Sequence, residues 1–419
     1  MTTAAMLVGD IPGRGRDTFG HRTACKGDGW SRSYADLADR VARLAGGLAA
    51  SGVCAGDRIA VLSPNDPGLV EVLFAASLVG AAVLPLNPRL IPNEVRYQVD
   101  DAEAKFAIVH PTLESLARAA GLLHRQAWLV GDELEEVVVQ GLPYGGPRPS
   151  DESVLVHLYT SGTTGRPKGC LLTQRGWLSA IAGFAHTISL SPDDVVWVPL
   201  PLFHVAGIHY GLSTLAAGAT LVFEDAGDAE NLWRVVGEYG VTMTTLYPNP
   251  QQVIAHPDAR RASASLRIVF CMPIGPSLHD ALPGIPAATS YGGTELSGMA
   301  LVAYGENWDR PGNVIGRPHI GLMAAVLDDD DRPVPSGEVG ELCFRGPSVT
   351  IGTGSFPRPP PTLCTTDGST RAISLAPMRS ACCISSTARR TWSNPAAKTS
   401  TRSRSKPFFS PIPTSWTAP

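Results

Sequence analysis

The chain is short of charge and of aromatic side chains: of 419 residues, 17% are Asp, Glu, Lys or Arg and 7% are Phe, Trp or Tyr. With 44% apolar residues, that balance excludes a solvated, disordered polymer as the main body and fits a globular protein with a large core. A basic excess is also missing, since 34 Lys and Arg face 38 Asp and Glu for a net charge of −4. A polyanion binder needs the opposite balance, which excludes nucleic acid as the main partner. The eight cysteines, at positions 25, 54, 170, 271, 343, 364, 382 and 383, form no Cys-x-x-Cys pair. Neither a zinc site nor a disulfide framework is indicated, and thiols in a reducing cytoplasm are expected. No basic-then-apolar leader opens the chain, so secretion is not expected. The one long apolar stretch, Leu69 to Leu86, carries Glu71, is broken at Gly80 and meets Pro85. It predicts a buried helix and then a buried strand rather than a membrane span, with peripheral association at a membrane left open. There is no internal repeat, and the length accommodates two or three domains.

What is present is a regular alternation of helix and strand signals. Ser33 is placed to cap a helix whose Leu37, Val41, Leu44 and Leu48 recur at helical spacing, with Gly52 and Gly56 after its end. Strands are predicted at 58–62, 82–86 and 105–109, with helices at 66–78 and 93–99 between them. This βαβαβ run implies a parallel sheet covered by helices. Residues 110–152 are weaker in pattern and read as a link. A second α/β run is predicted to start with the strand at 154–156. It continues through helices at 174–186, 207–215 and 229–239, and strands at 195–198, 220–223, 241–246 and 266–271. From about residue 312 to 346 short strands and turns predict a small β-rich unit. The expected division is an arm at 1–19, an α/β core at 20–311, the β-rich unit at 312–352 and a distinct tail at 353–419.

Chemistry concentrates at Tyr159-Thr160-Ser161-Gly162-Thr163-Thr164-Gly165-Arg166-Pro167-Lys168-Gly169. Glycines let successive backbone N–H groups turn toward one anion, the four hydroxyls donate to phosphate oxygens, and Lys168 supplies a point charge. The plainer reading is a Ser/Thr/Gly surface turn, but such a turn rarely joins an apolar run to a Pro-Lys-Gly exit. It is not the ordinary nucleotide P-loop, whose lysine follows a glycine and precedes Ser or Thr.

The string instead resembles the signature of the adenylate-forming superfamily, which includes acyl-CoA synthetases, peptide-synthetase adenylation domains and luciferases. Four further stretches match that pattern in order: Pro201-Leu202-Phe203-His204-Val205-Ala206-Gly207, Cys271-Met272-Pro273-Ile274-Gly275-Pro276, Tyr291-Gly292-Gly293-Thr294-Glu295, and residues 340–347. The resemblance covers roughly residues 20–352. It implies a large N-terminal adenylate-forming α/β domain with a β-rich subdomain, and an ATP-dependent, AMP-forming acid–thiol ligase of the fatty-acid–CoA ligase type with ATP, Mg²⁺ and CoA as its small molecules. The 160–168 loop would hold the β- and γ-phosphates. Thr294 would reach the α-phosphate, Tyr291 would present its ring to adenine, and Gly275, Pro276 and Gly292 would lie against the nucleotide. Glu295 would contact Mg²⁺, a hard cation that wants a carboxylate oxygen. His204, with Val205, Gly207 and Gly293, would line the acyl pocket. The plain alternatives stay open here: Glu295 as an acid at a helix N-terminus, and His204 as a satisfied core histidine. The segments expected to wall the pocket, 203–208, 245–248 and 290–293, carry no charged side chain, which favours an apolar or aromatic monocarboxylate over an amino acid. Transfer of the acyl group to a carrier protein, and a non-catalytic nucleotide or acyl binder, are the alternative functions.

After Gly352 the chain changes character. Residues 353–419 hold nine of the Lys and Arg and a single acid, Asp367, leaving 25 basic and 37 acidic residues in the rest. Ser, Thr and Pro dominate, which predicts a disordered basic tail. The family's downstream motifs are missing as written, but codons compatible with this tail spell them in a shifted frame. Thr370 to Ser374 admits Thr-Gly-Asp-Ile. Arg389 to Arg402 admits Lys-Lys-Asp-Met-Val-Lys-Ser-Gly-Gly-Glu-Asn-Val-Tyr-Ser. A one-base shift near the Gly352 codon is therefore expected, with the C-terminal domain lost. By the resemblance, the lost parts bind the ribose, supply a lysine that assists adenylation, and rotate to admit the thiol.

Overall fold

The computed structural model describes residues 5–160, 167–225, 227–247, 249–271, 276–304, 315–328, 330, 332–335 and 340–352, together with the backbone of 381–384 and 401–404. In chain order its main elements are α1 (Ile11–Phe19), β1 (Thr23–Gly27), β2 (Trp30–Ser33), α2 (Tyr34–Ala50), β3 (Arg58–Leu62), α3 (Pro67–Val79), β4 (Ala82–Leu86), α4 (Pro92–Asp101), β5 (Phe106–Val109), α5 (Glu114–Ala120), β6 (Gln126–Leu129) and α6 (Asp132–Gln140). There follow β7 (Val154–Thr160), β8 (Lys168–Thr173), α7 (Gln174–Thr187), β9 (Val195–Trp197), α8 (Val205–Ala216), β10 (Thr220–Phe223), α9 (Ala229–Tyr239), β11 (Met243–Thr245) and β12 (Ile268–Phe270). The last are β13 (Ala287–Gly293), β14 (Gly298–Tyr304), β15 (Arg317–Pro318), β16 (Met323–Leu327), β17 (Glu341–Arg345), β18 (Ala381–Ile384) and β19 (Thr401–Arg404).

The local rules hold where burial is complete. β3 and β4 are buried at every position, and alternate side chains enter opposite cores: Ile59 and Val61 pack toward α2 and α3, Ala60 and Leu62 toward α4 and α5. Ser33 caps α2 through a reciprocal box with Asp36. Asp66 caps α3, which ends on Gly80 at φ 85°. The apolar stretch at 69–86 is thus α3 followed by β4, as expected, and no helix among the described residues is long and apolar enough to cross a membrane. Glu71 within it is buried and paired with Arg32 and Arg40.

Two large sheets result. One runs β6-β5-β3-β4-β7-β8, the other β15-β14-β13-β12-β11-β9-β10-β1-β2. Side chains of α1, α2, α3, α7 and α8 share a core with residues of both sheets, including Ile59, Val83, Cys25 and Leu221. α9 covers the far face of the second sheet through Leu232, Trp233 and Val236. Helices therefore lie between the sheets and on both outer faces, as the α/β expectation requires.

Three expectations need correction. The strand before the 159–169 motif does not start the second sheet; β7 pairs with β4 and closes the first. Residues 110–152 are no mere link, because β6 extends that sheet beside β5. The N-terminal arm forms α1, and β1 joins the second sheet beside β10. Apolar periodicity reports which residues are buried, but chain order does not report which strands are neighbours. The small sheet runs β16-β17-β18-β19, so the tail expected to be disordered supplies two strands to it. Arg317–Pro318 pairs instead with β14.

Candidate active site

The expected site residues sit on two antiparallel hairpins, β7–β8 at an edge of the first sheet and β13–β14 beside β15 in the second. In the first, Tyr159 lies opposite Gly169 and Thr160 opposite Lys168. Ser161, Gly162, Thr163, Thr164 and Gly165, between these legs, lie outside the described residues. Thr160 Oγ1 donates to the Lys168 carbonyl at 3.4 Å. Lys168 is exposed and has no ion pair among the described residues. Beneath the legs, the fully buried ring of His157 stacks on Tyr159 at 5.1 Å. Burial, and then the nearby Arg58 charge, push the His157 pKa down to about 4, so the ring is neutral. Position 169 must be glycine: a Cβ there would overlap His157 Nε2.

The second hairpin, β13–β14, turns through a short 3-10 segment, Thr294–Leu296, and Ser297 at φ 57°. Its register slips between Tyr291 and Gly292, where a Cβ would overlap the Gly298 carbonyl. Thr294 is buried. Glu295 is half-buried, and its carboxylate has neither a hydrogen bond nor an ion pair among the described residues. A Cβ on Gly293 would stand 3.3 Å from Glu295 Oε2, so the glycine leaves space beside the carboxylate. The Tyr291 ring lies nearly parallel to Phe344, with centroids 6.4 Å apart.

The turn is pinned from three sides. His209 Nδ1–H donates to the Ser297 carbonyl at 3.1 Å, Ser297 Oγ donates to the Ser348 carbonyl at 2.8 Å, and the Thr350 N–H donates to the Glu295 carbonyl at 2.7 Å. Burial pushes the His209 pKa down to about 3, leaving a neutral ring whose Nδ1 proton is assigned by its carbonyl partner. Thr350 also joins the hairpins, for its Oγ1 donates to the Leu171 carbonyl at 2.9 Å on β8. The Ile351 and Leu171 N–H groups complete that junction.

His204 stands at the N-terminus of α8, where Nδ1 accepts the Ala206 N–H at 3.2 Å. The ring is open to solvent, yet surrounding protein desolvates it enough to lower its pKa. The preceding turn is held by Asn65, which accepts from Leu202 N–H at 2.7 Å and donates to the Leu200 carbonyl at 2.9 Å. Val205 is buried, and Gly207 lets α8 pack on the Pro201 carbonyl. Gly275 lies outside the described residues, and Pro276 begins a short helix, Pro276–Ala281.

The structure thus brings Lys168, Thr294 and Glu295 onto adjoining elements, with His204 linked through α8 and His209. The roles of His209, Asn65 and Thr350 are not visible in sequence. His209 is one more residue of an apolar helix, Asn65 belongs to a Pro/Asn/Asp turn, and Thr350 falls after the last matched stretch. Among the described residues no group of three or more His, Cys, Asp or Glu could hold a metal by itself. Glu295 alone fits a cation completed by phosphate oxygens and water. Cys25, Cys170, Cys271 and Cys343 are buried. A groove of about 930 Å³ beside α1 and α7, lined by Met6, Ile11, Leu178 and Pro347 among others, contains none of the expected site residues.

The chain is similar to known proteins. The AMP-binding enzyme family matches residues 14–352. A feruloyl-CoA synthase of an Amycolatopsis species is 34% identical over 354 residues, covering 82% of this chain and 71% of that protein. An indoleacetate–CoA ligase of Aromatoleum aromaticum is 32% identical over 342 residues, covering 76% and 66%. Among solved structures, the inhibitor-bound N-terminal domain of FACL13 from Mycobacterium tuberculosis superposes with a TM-score of 0.77 at 25% identity, covering 84% of this chain and 92% of that one.

Proposed function

The chain belongs to the AMP-binding enzyme family, whose relatives here are AMP-forming acid–thiol ligases, and on that premise we propose that it binds ATP across its two hairpins to activate an apolar or aromatic monocarboxylic acid, a fatty acid included. The 160–168 loop with Lys168 holds the β- and γ-phosphates. Thr294 meets the α-phosphate, and Tyr291, Gly292, Gly275 and Pro276 border the adenine. His204, Val205, Gly207 and Gly293 border the acid, whose carboxylate oxygen attacks the α-phosphorus and expels pyrophosphate. Mg²⁺ on Glu295 neutralises charge on the phosphates when bound. The resulting acyl-adenylate is then attacked at its carbonyl carbon by the CoA thiol, which loses its proton, expels AMP and leaves the thioester.

The observation that supports this reading is the junction through Thr350, whose N–H donates to the Glu295 carbonyl and whose Oγ1 donates to the Leu171 carbonyl on the strand that carries Lys168. The acid class is supported by the lack of charged residues at 203–208, 245–247 and 290–293, and by relatives named for feruloyl and indoleacetate substrates. Pyrophosphate release should depend on both ATP and acid when arylpropenoates, indoleacetate and medium-chain fatty acids are compared. ATP binding with no acid-dependent release would favour the non-catalytic binder, and acyl transfer to a carrier protein in preference to CoA would favour a carrier-protein acceptor.

We further propose that residues 353–419 are read out of frame. The family match ends at residue 352, ahead of both shifted-frame motifs. Such a chain lacks the ribose-binding and lysine-bearing parts, so its ATP site stays wet and its thioester yield is low. Nucleotide sequence across codons 345–360 tests this. Codons that do not spell the motifs in the shifted frame, or robust acyl-CoA formation by the 419-residue chain, would overturn it.

A further inference from the structure

We infer that Tyr97 and Asp101, one turn apart on α4, are positioning residues that brace the two legs of the 160–168 loop from a single helix. The inference rests on the reading of that loop as the β,γ-phosphate site. On the incoming leg, Tyr159 O–H donates to Asp101 Oδ2 at 2.5 Å. On the outgoing leg, Tyr97 O–H donates to the Pro167 carbonyl at 3.2 Å. The two tyrosine rings meet edge to face with centroids 6.3 Å apart, so the contacts form one unit.

Spacing makes this possible. Residues i and i+4 share a face of a helix; Tyr159 lies one residue before the end of β7, and Pro167 immediately precedes β8, whose Lys168 pairs with Thr160. Burial, and then the hydrogen bond to Asp101, raise the Tyr159 pKa, so the phenol keeps the proton it donates. Pro167 has no N–H of its own, leaving its carbonyl as the polar backbone group through which Tyr97 can hold that residue. A glycine-rich loop loses much conformational freedom on gripping an anion, and fixing both legs beforehand lowers that loss. Neither side chain belongs to the phosphate-gripping set. Their effect should fall on ligands that carry β- and γ-phosphates and spare those that end at the α-phosphate.

The test is calorimetric titration of Mg·ATP and of AMP into the full chain and its variants. Wild type should prefer ATP. Tyr97→Phe, which keeps the ring, should weaken ATP by about three- to tenfold and leave AMP within about twofold, the size of one hydrogen bond. Asp101→Ala should do the same, and Asp101→Asn, which keeps an acceptor oxygen, should retain most of the preference. A general loss of fold would weaken both ligands alike and overturn the inference, as would variants that keep the wild-type ratio. In the latter case a preserved wild-type ATP preference leaves the loop's phosphate role standing. A wild type that binds AMP as well as ATP overturns the brace and the phosphate reading together.

Discussion

The β7–β8 and β13–β14 hairpins are built alike, each laying a glycine over a buried neutral histidine: Gly169 over His157, Gly298 over His209. They differ in what holds the tip. The Thr294–Leu296 turn is fixed directly, by Thr350 at the Glu295 carbonyl, His209 at the Ser297 carbonyl and Ser348 at the Ser297 hydroxyl. On the β7–β8 side the described contacts fall on the legs, at Tyr159 and Pro167. The difference teaches that the β13–β14 turn is fixed by several elements distant in sequence, whereas the β7–β8 legs are held from one helix, α4.

Gly298→Ala gives the largest expected break. Its φ of 116° is unfavourable for a side chain, and the added Cβ would overlap the His209 ring. Together these should lower stability by about 2–5 kcal/mol in urea unfolding. Gly169→Ala carries the overlap without the backbone strain and should lose only about 1–3 kcal/mol. If the two losses came out reversed, the β13–β14 tip would not be the more tightly specified of the two.

Acid should act next. His157 and His209 stay neutral in the fold, with values near 4 and 3 against an ordinary 6.5. Between these limits the unfolded chain binds protons that the folded chain refuses. Stability should therefore be level above about pH 6.5 and fall on acidification toward pH 4 by about 1.4 kcal/mol per unit for each histidine. His157→Gln and His209→Gln should each flatten that slope by one histidine's share, measured as unfolding free energy against pH. A slope unchanged in one variant would show that its hairpin does not rest on a neutral ring. Thr350→Val, which removes the tie to Leu171 but keeps the Glu295 carbonyl bond, should lose only about 1 kcal/mol.

The parallel strands of the first sheet are legible because burial on both faces leaves near-continuous apolar runs: 58–62 and 82–86 are the bounds of β3 and β4. β6 escaped because an edge strand, half-buried, has no such run. The sheet assignment of β7 and β1 escaped because strand neighbours are chosen by three-dimensional packing. Thr160, Lys168, Thr294 and Glu295 were legible because dense glycine and hydroxyl placement is uncommon outside ligand loops. Tyr97, Asp101, His209 and Asn65 were not, since each acts by a contact with a residue distant in sequence.

Binding of Mg·ATP to the full chain, compared with Lys168→Ala and Glu295→Gln, tests the two-hairpin site most directly. The account predicts that each variant loses about tenfold or more in affinity, and that Glu295→Gln also loses the dependence on Mg²⁺. Wild-type affinity and Mg²⁺ dependence in both variants would contradict it.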